Sequence, residues 1–377
     1  MGLYIIKPKI WHKQYVMAIT FVSEIETKRS SMLMEVRIVW NAVIVDREYG
    51  SVSLENQRQL QEQYARNRIN LRSEQYPTPA DIIAGCQDTD AILITGNSPI
   101  TKEVLESLPQ LKVVLRFGIG VNSVDLDAAT KAGTVILYMP GFCVQEMAVH
   151  ASALILDLLR NISFYDRGIR KGEWRKAKGH EPRNPRNLTL GLYGFGGSAK
   201  LLYDIFHHGF GTKVITCDPY IRKDLIENYD VELVSFEELL ERSDIVSLHA
   251  PLIPETRQIF DKNAFRRMKN DAMLVNVARG GLIQQEHLIE ALKEGEIRFA
   301  GLDVFEEEPL PGDSPLIDLE NTVLTCHSAF FGDSAKRNML QLAVDLVDSV
   351  LNQSRVPGMY VANKGLVSKI PGFKLVE

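Results

Sequence analysis

From Val36 onward, short runs of apolar residues alternate with stretches in which apolar positions recur at helical spacing. That alternation predicts an α/β protein with parallel sheets, because strands covered on both faces by helices read as continuous apolar runs. The run Glu35-Val36-Arg37-Ile38-Val39-Trp40 predicts an opening strand. Residues 91–94 and 112–115 predict two more, with a helical stretch over Lys102–Ser107 between them. A small α/β domain is expected here. Between Gln145 and Lys171 the apolar positions Met147, Ala148, Ala151, Leu154, Ile155, Leu158 and Leu159 share one helical face with no proline inside, which predicts one long helix.

After Pro182-Arg183-Asn184-Pro185, six further strands are predicted at 188–193, 213–217, 245–248, 273–277, 299–304 and 322–325. Six is the strand count of a full dinucleotide-binding Rossmann sheet. A last helix is predicted over 335–351, apolar at Met339, Leu340, Ala343, Leu346, Val347 and Val350. The tail after Pro357 mixes Gly, Pro and Lys and reads as a surface segment.

Composition adds limits. A chain of 377 residues, 24% charged and 45% hydrophobic with net charge −5, has room for two domains with cores that need no disulfide or metal staple. These values argue against wholesale disorder and against a protein that coats nucleic acid. The apolar run over 15–22 is too short to span a membrane. Cys86, Cys143, Cys217 and Cys326 show no C-x-x-C spacing, and no H-E-x-x-H occurs, so neither a disulfide framework nor a metal site is expected. A reducing cytoplasm fits. Residues 1–34 read as an extension outside the domains or a start-site artefact, with Met32 or Met34 as the true start.

The first candidate chemistry is Gly194-Phe195-Gly196-Gly197-Ser198-Ala199, which follows a predicted strand and opens a helical pattern. It fits G-x-G-x-x-G/A, in which the first glycine makes the tight turn and the second lets a pyrophosphate approach the backbone at the helix start. A glycine-bearing turn alone would look the same. The context favours the nucleotide, because the next strand ends in Asp218, 22 residues beyond Gly196 and just before Pro219. An acid there accepts hydrogen bonds from ribose hydroxyls and repels a 2′-phosphate, which predicts NAD over NADP. Arg222 nearby leaves NADP open.

Ligands in open α/β sheets bind beyond the carboxyl ends of the strands, and three late strands deliver polar residues there: Arg279, Glu308 and His327. Singly these read as a surface arginine, an acidic loop and a structural histidine. Together, behind a cofactor fingerprint, they match what reduction of a 2-oxo acid requires: a bidentate cation for the carboxylate and a proton donor for the developing alkoxide. Arg279 would hold the substrate, His327 would move the proton, and Glu308 would fix the imidazole. His249, His207 and His208 read by themselves as structural.

The runs Asp244-Ile245-Val246-Ser247-Leu248-His249-Ala250-Pro251-Leu252, Val275-Asn276-Val277-Ala278-Arg279-Gly280 and Gly301-Leu302-Asp303-Val304-Phe305-Glu306-Glu307-Glu308-Pro309 resemble signatures of the D-isomer-specific 2-hydroxyacid dehydrogenase family. That family includes formate, D-lactate, phosphoglycerate and glyoxylate/hydroxypyruvate enzymes. The resemblance implies a Rossmann domain over 147–329, inserted into a smaller flavodoxin-like α/β substrate domain over 35–146 and 330–356, with a tail over 357–377. It implies Arg279, Glu308 and His327 as catalytic residues. On the cofactor side it implies Gly194, Phe195, Gly196, Gly197, Ser198, Asp218, Pro219, His249, Ala250, Pro251, Thr256, Val277, Ala278, Asp303 and His327, with Asp303 placing the nicotinamide carboxamide. Arg116, Gly118, Ile119 and Gly120 would meet the substrate carboxylate, in a loop whose glycines let backbone amides approach an anion. NAD(H), a small 2-oxo or 2-hydroxy acid and a homodimer are the expected partners, with neither nucleic acid nor membrane.

Two departures from the family pattern stand out. Gly197, Ser198 and Ala199 occupy positions where relatives more often carry Arg, Ile and Gly, and Asn122-Ser123 replaces a common Asp-Asn. The run His327-Ser328-Ala329-Phe330-Phe331, with Arg116 and Pro140-Gly141-Phe142-Cys143-Val144-Gln145-Glu146, also resembles the C-terminal binding protein branch. That branch pairs the fold with corepression, so an NAD(H)-responsive binding protein is the alternative function. The two aromatics after His327 suit either a pocket for an apolar substrate side chain or packing, and the former suggests an apolar 2-oxo acid over glyoxylate.

Overall fold

The computed structural model describes residues 39–46, 54–96, 98–174, 180–221, 226–367 and 374–376. It divides into two compact units. One takes the residues up to Phe142 and those from Arg337 onward, and the other is Cys143–Lys336. The expectations for residues 1–34 and for Arg222 lie outside the described residues.

The first unit carries five parallel strands, β1 (Trp40–Ile44), β2 (Ile69–Ser73), β3 (Ala91–Ile94), β4 (Val113–Arg116) and β5 (Val135–Leu137), in the order β2-β1-β3-β4-β5. This is the flavodoxin-like doubly wound order. The opening strand starts at Trp40, later than expected: Val39 is outside it and half exposed, and 35–38 are outside the described residues. Polar residues start the short helices. Thr78 forms a capping box with Asp81 ahead of Pro79–Gly85, and Thr101 caps Lys102–Ser107. The apolar faces bury Val43, Ile82, Ile92, Leu105, Val114 and Ile136 in one core.

Residues from the far end of the chain complete this unit. The Tyr64 hydroxyl, on helix Leu54–Arg66, donates to the Ala343 carbonyl at 2.7 Å, and Trp40 Nε1 donates to Asn352 Oδ1 at 2.8 Å. Within the segment after Pro357 that was expected to run over the surface, residues 361–363 pack against β5 instead. The Ala362 amide donates to the Ile136 carbonyl, Asn363 Oδ1 accepts from the Ile136 amide, and Val361 is fully buried. The exposed backbone edge of β5 explains the difference, since an unpaired strand edge recruits whatever chain can bond to it.

The second unit holds β6 (Thr189–Tyr193), β7 (Lys213–Cys217), β8 (Glu232–Leu233), β9 (Ile245–Leu248), β10 (Met273–Asn276), β11 (Phe299–Leu302) and β12 (Thr322–Leu324). All pairings are parallel, in the order β12-β11-β10-β9-β6-β7-β8. This is the Rossmann arrangement with one strand added. The expected six strands therefore become seven. The missing one, β8, is a two-residue edge strand with both residues exposed, too short and polar to leave an apolar run.

The single helix expected between Gln145 and Lys171 is two, Val144–Arg160 and Ile162–Arg170, bent by 65°. Asn161 sits at the break with φ 55°, a left-handed conformation that asparagine tolerates better than most residues. Asp157 Oδ1 then accepts from the Ser163 amide and caps the second helix. Among the described residues no single helix is long and apolar enough to cross a membrane.

Tyr64→Phe is expected to lower the stability of the first unit by about 1 kcal/mol, the net worth of one buried hydrogen bond. Urea unfolding followed by circular dichroism checks it, and an unchanged midpoint would show that the bond to Ala343 contributes nothing.

Candidate active site

In the second unit the chain leaves β6 toward β7 on one side and β9 toward β10 on the other, which creates a crevice at the carboxyl ends of β6 and β9. Gly194 turns the chain there at φ 90°, and a Cβ on it would lie 2.9 Å from the Ala250 backbone nitrogen. Only glycine allows these two loops to approach so closely. Above Gly196 the space is open, with nothing within 4 Å of where a Cβ would stand. Asp218, at the end of β7, accepts from the Phe195 amide at 2.8 Å and from the Tyr220 amide at 3.0 Å, so both carboxylate oxygens are oriented by backbone. Pro219 is exposed beside it.

Several fingerprint side chains turn inward. Ala199 is fully buried in the core, and Phe195 packs edge-on against Tyr203 and Tyr229. Lys200 lies over the Phe195 and Tyr229 rings, at 5.9 and 5.4 Å from their centroids. His249 stands between two hydroxyls, with Ser198 Oγ 3.1 Å from Nδ1 and Ser247 Oγ 2.9 Å from Nε2. Burial pushes its pKa down to about 4, so the ring is neutral near pH 7. The Thr256 hydroxyl donates to the Pro251 carbonyl and accepts from the Ile253 amide, so this residue closes the turn that follows Ala250. Val277 and Ala278 are buried under the exit of β10.

Three further strand ends converge on one edge of this sheet. The fully buried Asn276 side chain brackets the turn after β10, its Nδ2 donating to the Arg279 carbonyl and its Oδ1 accepting from the Ala278 amide. Gly280 follows, and a Cβ there would lie 1.8 Å from the Phe305 carbonyl oxygen, so the loop bearing Arg279 touches the loop bearing Glu308. Glu308 Oε1 accepts from the Phe305 amide at 3.0 Å, and Oε2 meets His327 Nδ1 at 2.6 Å. A carboxylate can only accept, so Nδ1 carries the proton. His327 Nε2 has no protein partner among the described residues. Burial raises the Glu308 pKa, but the hydrogen bond from His327, the Phe305 amide and the charges of His327 and Arg279 outweigh it and hold the carboxyl below its ordinary value. For Arg279, burial lowers the pKa, opposed by the Glu308 and Cys143 charges.

Asp303 has a different surrounding from the one the motif suggested. Its side chain has no exposure, and its Oδ1 accepts from Thr325 Oγ1 at 2.6 Å and the Ser328 amide at 2.9 Å. Its Oδ2 accepts from the Ala329 amide at 2.9 Å, while its carbonyl accepts from the His327 amide. His150 Nε2, from helix Val144–Arg160, lies 3.0 Å from Thr325 Oγ1. Asp303 thus holds the His327 loop, in which His327 itself has φ 52°. Thr325 and His150 carry no motif signal, because one is a common strand-end residue and the other is one of several polar positions on an amphipathic helix.

Arg116 ends β4 in the first unit, and Gly118, Ile119 and Gly120 follow it. Gly118 has φ 132°, its carbonyl accepts from the Met139 amide at 2.8 Å, and the Arg116 guanidinium occupies the place of its missing side chain. Arg116 Nη1 donates to the Phe117 carbonyl at 2.7 Å, and Ile119 is 42% exposed.

The chain is similar to known proteins over most of its length. Residues 152–329 match the model of the D-isomer specific 2-hydroxyacid dehydrogenase NAD-binding domain. The chain is 35% identical to a glyoxylate reductase of Korarchaeum cryptofilum, over 80% of this chain and 92% of that protein. It is 36% identical to a D-3-phosphoglycerate dehydrogenase of Methanocaldococcus jannaschii over 73% of this chain, but spans only 52% of that relative. Among solved structures, the D-mandelate dehydrogenase of Rhodotorula graminis superimposes with a TM-score of 0.77 at 26% identity, over 86% of this chain and 98% of that one.

A depressed carboxylate pKa makes stability that is present above the unfolded value and lost as pH falls through the folded one. The stability gap between the natural chain and Glu308→Gln is therefore expected to be full at neutral pH and to close below the ordinary glutamate range. Thermal melts in descending pH steps read this, and a gap that stays constant into acid would contradict it.

Proposed function

The chain belongs to the D-isomer-specific 2-hydroxyacid dehydrogenase family and uses NAD, and on that premise we propose that it reversibly reduces a 2-oxo acid to a D-2-hydroxy acid. The observation that carries the reading is the Glu308–His327 pair at 2.6 Å, within range of the Arg279 charge. The crevice suits the cofactor: the tight Gly194 turn, the open space above Gly196 and the amide-oriented Asp218 are what a dinucleotide needs. Asp218 favours NAD over NADP by repelling a 2′-phosphate. When bound, NADH supplies the hydride.

The remaining work falls to side chains. Arg279 stays protonated, and of its fork only Nη1 is engaged among the described residues, donating to the Ala278 carbonyl at 2.6 Å. The other donors fit a carboxylate and an adjacent carbonyl. His327 delivers the Nε2 proton to the carbonyl oxygen in reduction and takes it back in oxidation. Glu308 fixes the ring's orientation and offsets its charge when both nitrogens are protonated. Asp303 holds the loop and so sets where Nε2 points. Arg116, Gly118, Ile119 and Gly120 belong to the proposal as substrate contacts on the strength of their motif.

The proposed substrate carries an apolar side chain. Phe330 stands edge-on to His327 at 6.1 Å, and Phe331 is 63% exposed beside it. Glyoxylate, which has no side chain, would leave both without a role. The proposal extends to a homodimer, supported by the exposed Ile162, Ile169 and Trp174, and to a cytoplasmic setting, supported by four free cysteines.

His327→Ala is expected to lower kcat by about 10²–10⁴ while the Kd for NADH stays unchanged. Turnover that survives the substitution would remove His327 from the chemistry, whereas a natural chain that binds NADH but turns over no 2-oxo acid would favour an NAD(H)-responsive binding protein. A panel of 2-oxo acids followed by NADH consumption is expected to give higher kcat/KM for branched or aromatic acids than for glyoxylate or hydroxypyruvate. The reverse order would overturn the substrate assignment.

A further inference from the structure

Family members more often carry an arginine at position 197 of the fingerprint turn, and this chain has glycine there. A Cβ on Gly197 would lie 3.2 Å from Val144 Cγ2, a tight contact that the Val144 side chain would have to relieve by a few tenths of an ångström. Lys200, one turn further, is held over the Phe195 and Tyr229 rings. What stands at the turn instead is Ser198, joined through His249 to Ser247.

The direction of this chain follows from satisfaction of buried groups. Ser247 lies on β9 with no exposure, and its hydroxyl has His249 Nε2 as its one partner among the described residues. A buried hydroxyl hydrogen without an acceptor is costly, so Ser247 donates to Nε2. A neutral ring that accepts at Nε2 carries its proton on Nδ1. That proton is donated to Ser198 Oγ, and the Ser198 hydroxyl hydrogen is left free to point away from His249. The low pKa of His249 agrees with a ring holding a single proton.

We propose that the Ser247–His249–Ser198 chain presents the Ser198 hydroxyl as a fixed donor to the cofactor pyrophosphate, a neutral substitute for the missing arginine. The inference rests on the reading that NAD binds in the β6–β9 crevice and adds to it the proton order and the role of Ser247, a residue that cannot itself touch the cofactor. Ser198 and Ser247 are positioning and binding residues here, not participants in proton transfer to substrate.

Fluorescence titration of the full chain with NADH, ADP-ribose and adenosine tests it, with thermal melts confirming that each variant folds. Ser198→Ala is expected to weaken NADH and ADP-ribose about tenfold and to leave adenosine unchanged, because only the first two carry the pyrophosphate. Ser198→Thr keeps the hydroxyl and should restore binding. Ser247→Ala should weaken ADP-ribose several-fold, since it frees His249 to reverse its tautomer. Ser198→Ala binding ADP-ribose as the natural chain does, or weakening adenosine equally, overturns the proposal. So does a Ser247→Ala variant with unaltered affinity. Failure of the natural chain to bind NADH would refute the cofactor reading itself, and is thereby distinguishable.

Discussion

The carboxylate of Asp303 has no exposure to solvent, and a charge so placed must be met by hydrogen bonds from the protein. Here the donors are Thr325 Oγ1 and the amides of Ser328 and Ala329, which flank His327. The loop therefore wraps around Asp303 because the buried charge demands it. His327, in the middle, is left with φ 52°, a conformation that an unsupported histidine would rarely hold. The bonds to Asp303 offset that local strain, and the same residue's carbonyl takes the His327 amide at 2.7 Å. Remove the carboxylate and the imidazole loses its reason to point along Glu308.

A second constraint arranges the charges. The chain carries a net charge of −5, so its overall field does not attract an anionic acid. Attraction must come from local groups, and the structure keeps Arg279 near enough to lower the Glu308 pKa without bonding to it among the described residues. Glu308 takes its two hydrogen bonds from His327 and the Phe305 amide instead. In the proposed reaction, an arginine captured by Glu308 would be lost to substrate. The contact of Gly280 with the Phe305 carbonyl sets this spacing, because it fixes how close the two loops come.

How much of this was legible in the sequence depends on whether a feature is local. The strands β9, β10 and β11 are buried along their whole length and read directly as apolar runs. Arg279, Glu308 and His327 were legible because each follows a run that the periodicity identifies. The two-residue β8 was not, since Glu232-Leu233 is too short and too exposed to leave an apolar run. Nor was the break at Asn161, where the helical face continues through a left-handed residue supported by the Asp157 cap on Ser163 and by its own side-chain bond to the His180 carbonyl. The segment after Pro357 looked like a tail for a similar reason. Its partner is the edge of β5, more than two hundred residues earlier.

The departures at 197–199 show what the glycine fingerprint constrains. Ala199 replaces a glycine, yet its methyl group is wholly buried in the core, so the helix and sheet at this point leave room for one carbon. Gly197 stands where an arginine is more common, and a Cβ there would press on Val144 Cγ2 at 3.2 Å, a contact that favours a small residue without requiring one. Ser198, the next residue along the turn, carries a polar side chain, and its hydroxyl is held by His249. Gly194 permits no such latitude, because any side chain there would meet the Ala250 backbone, which has nowhere to move.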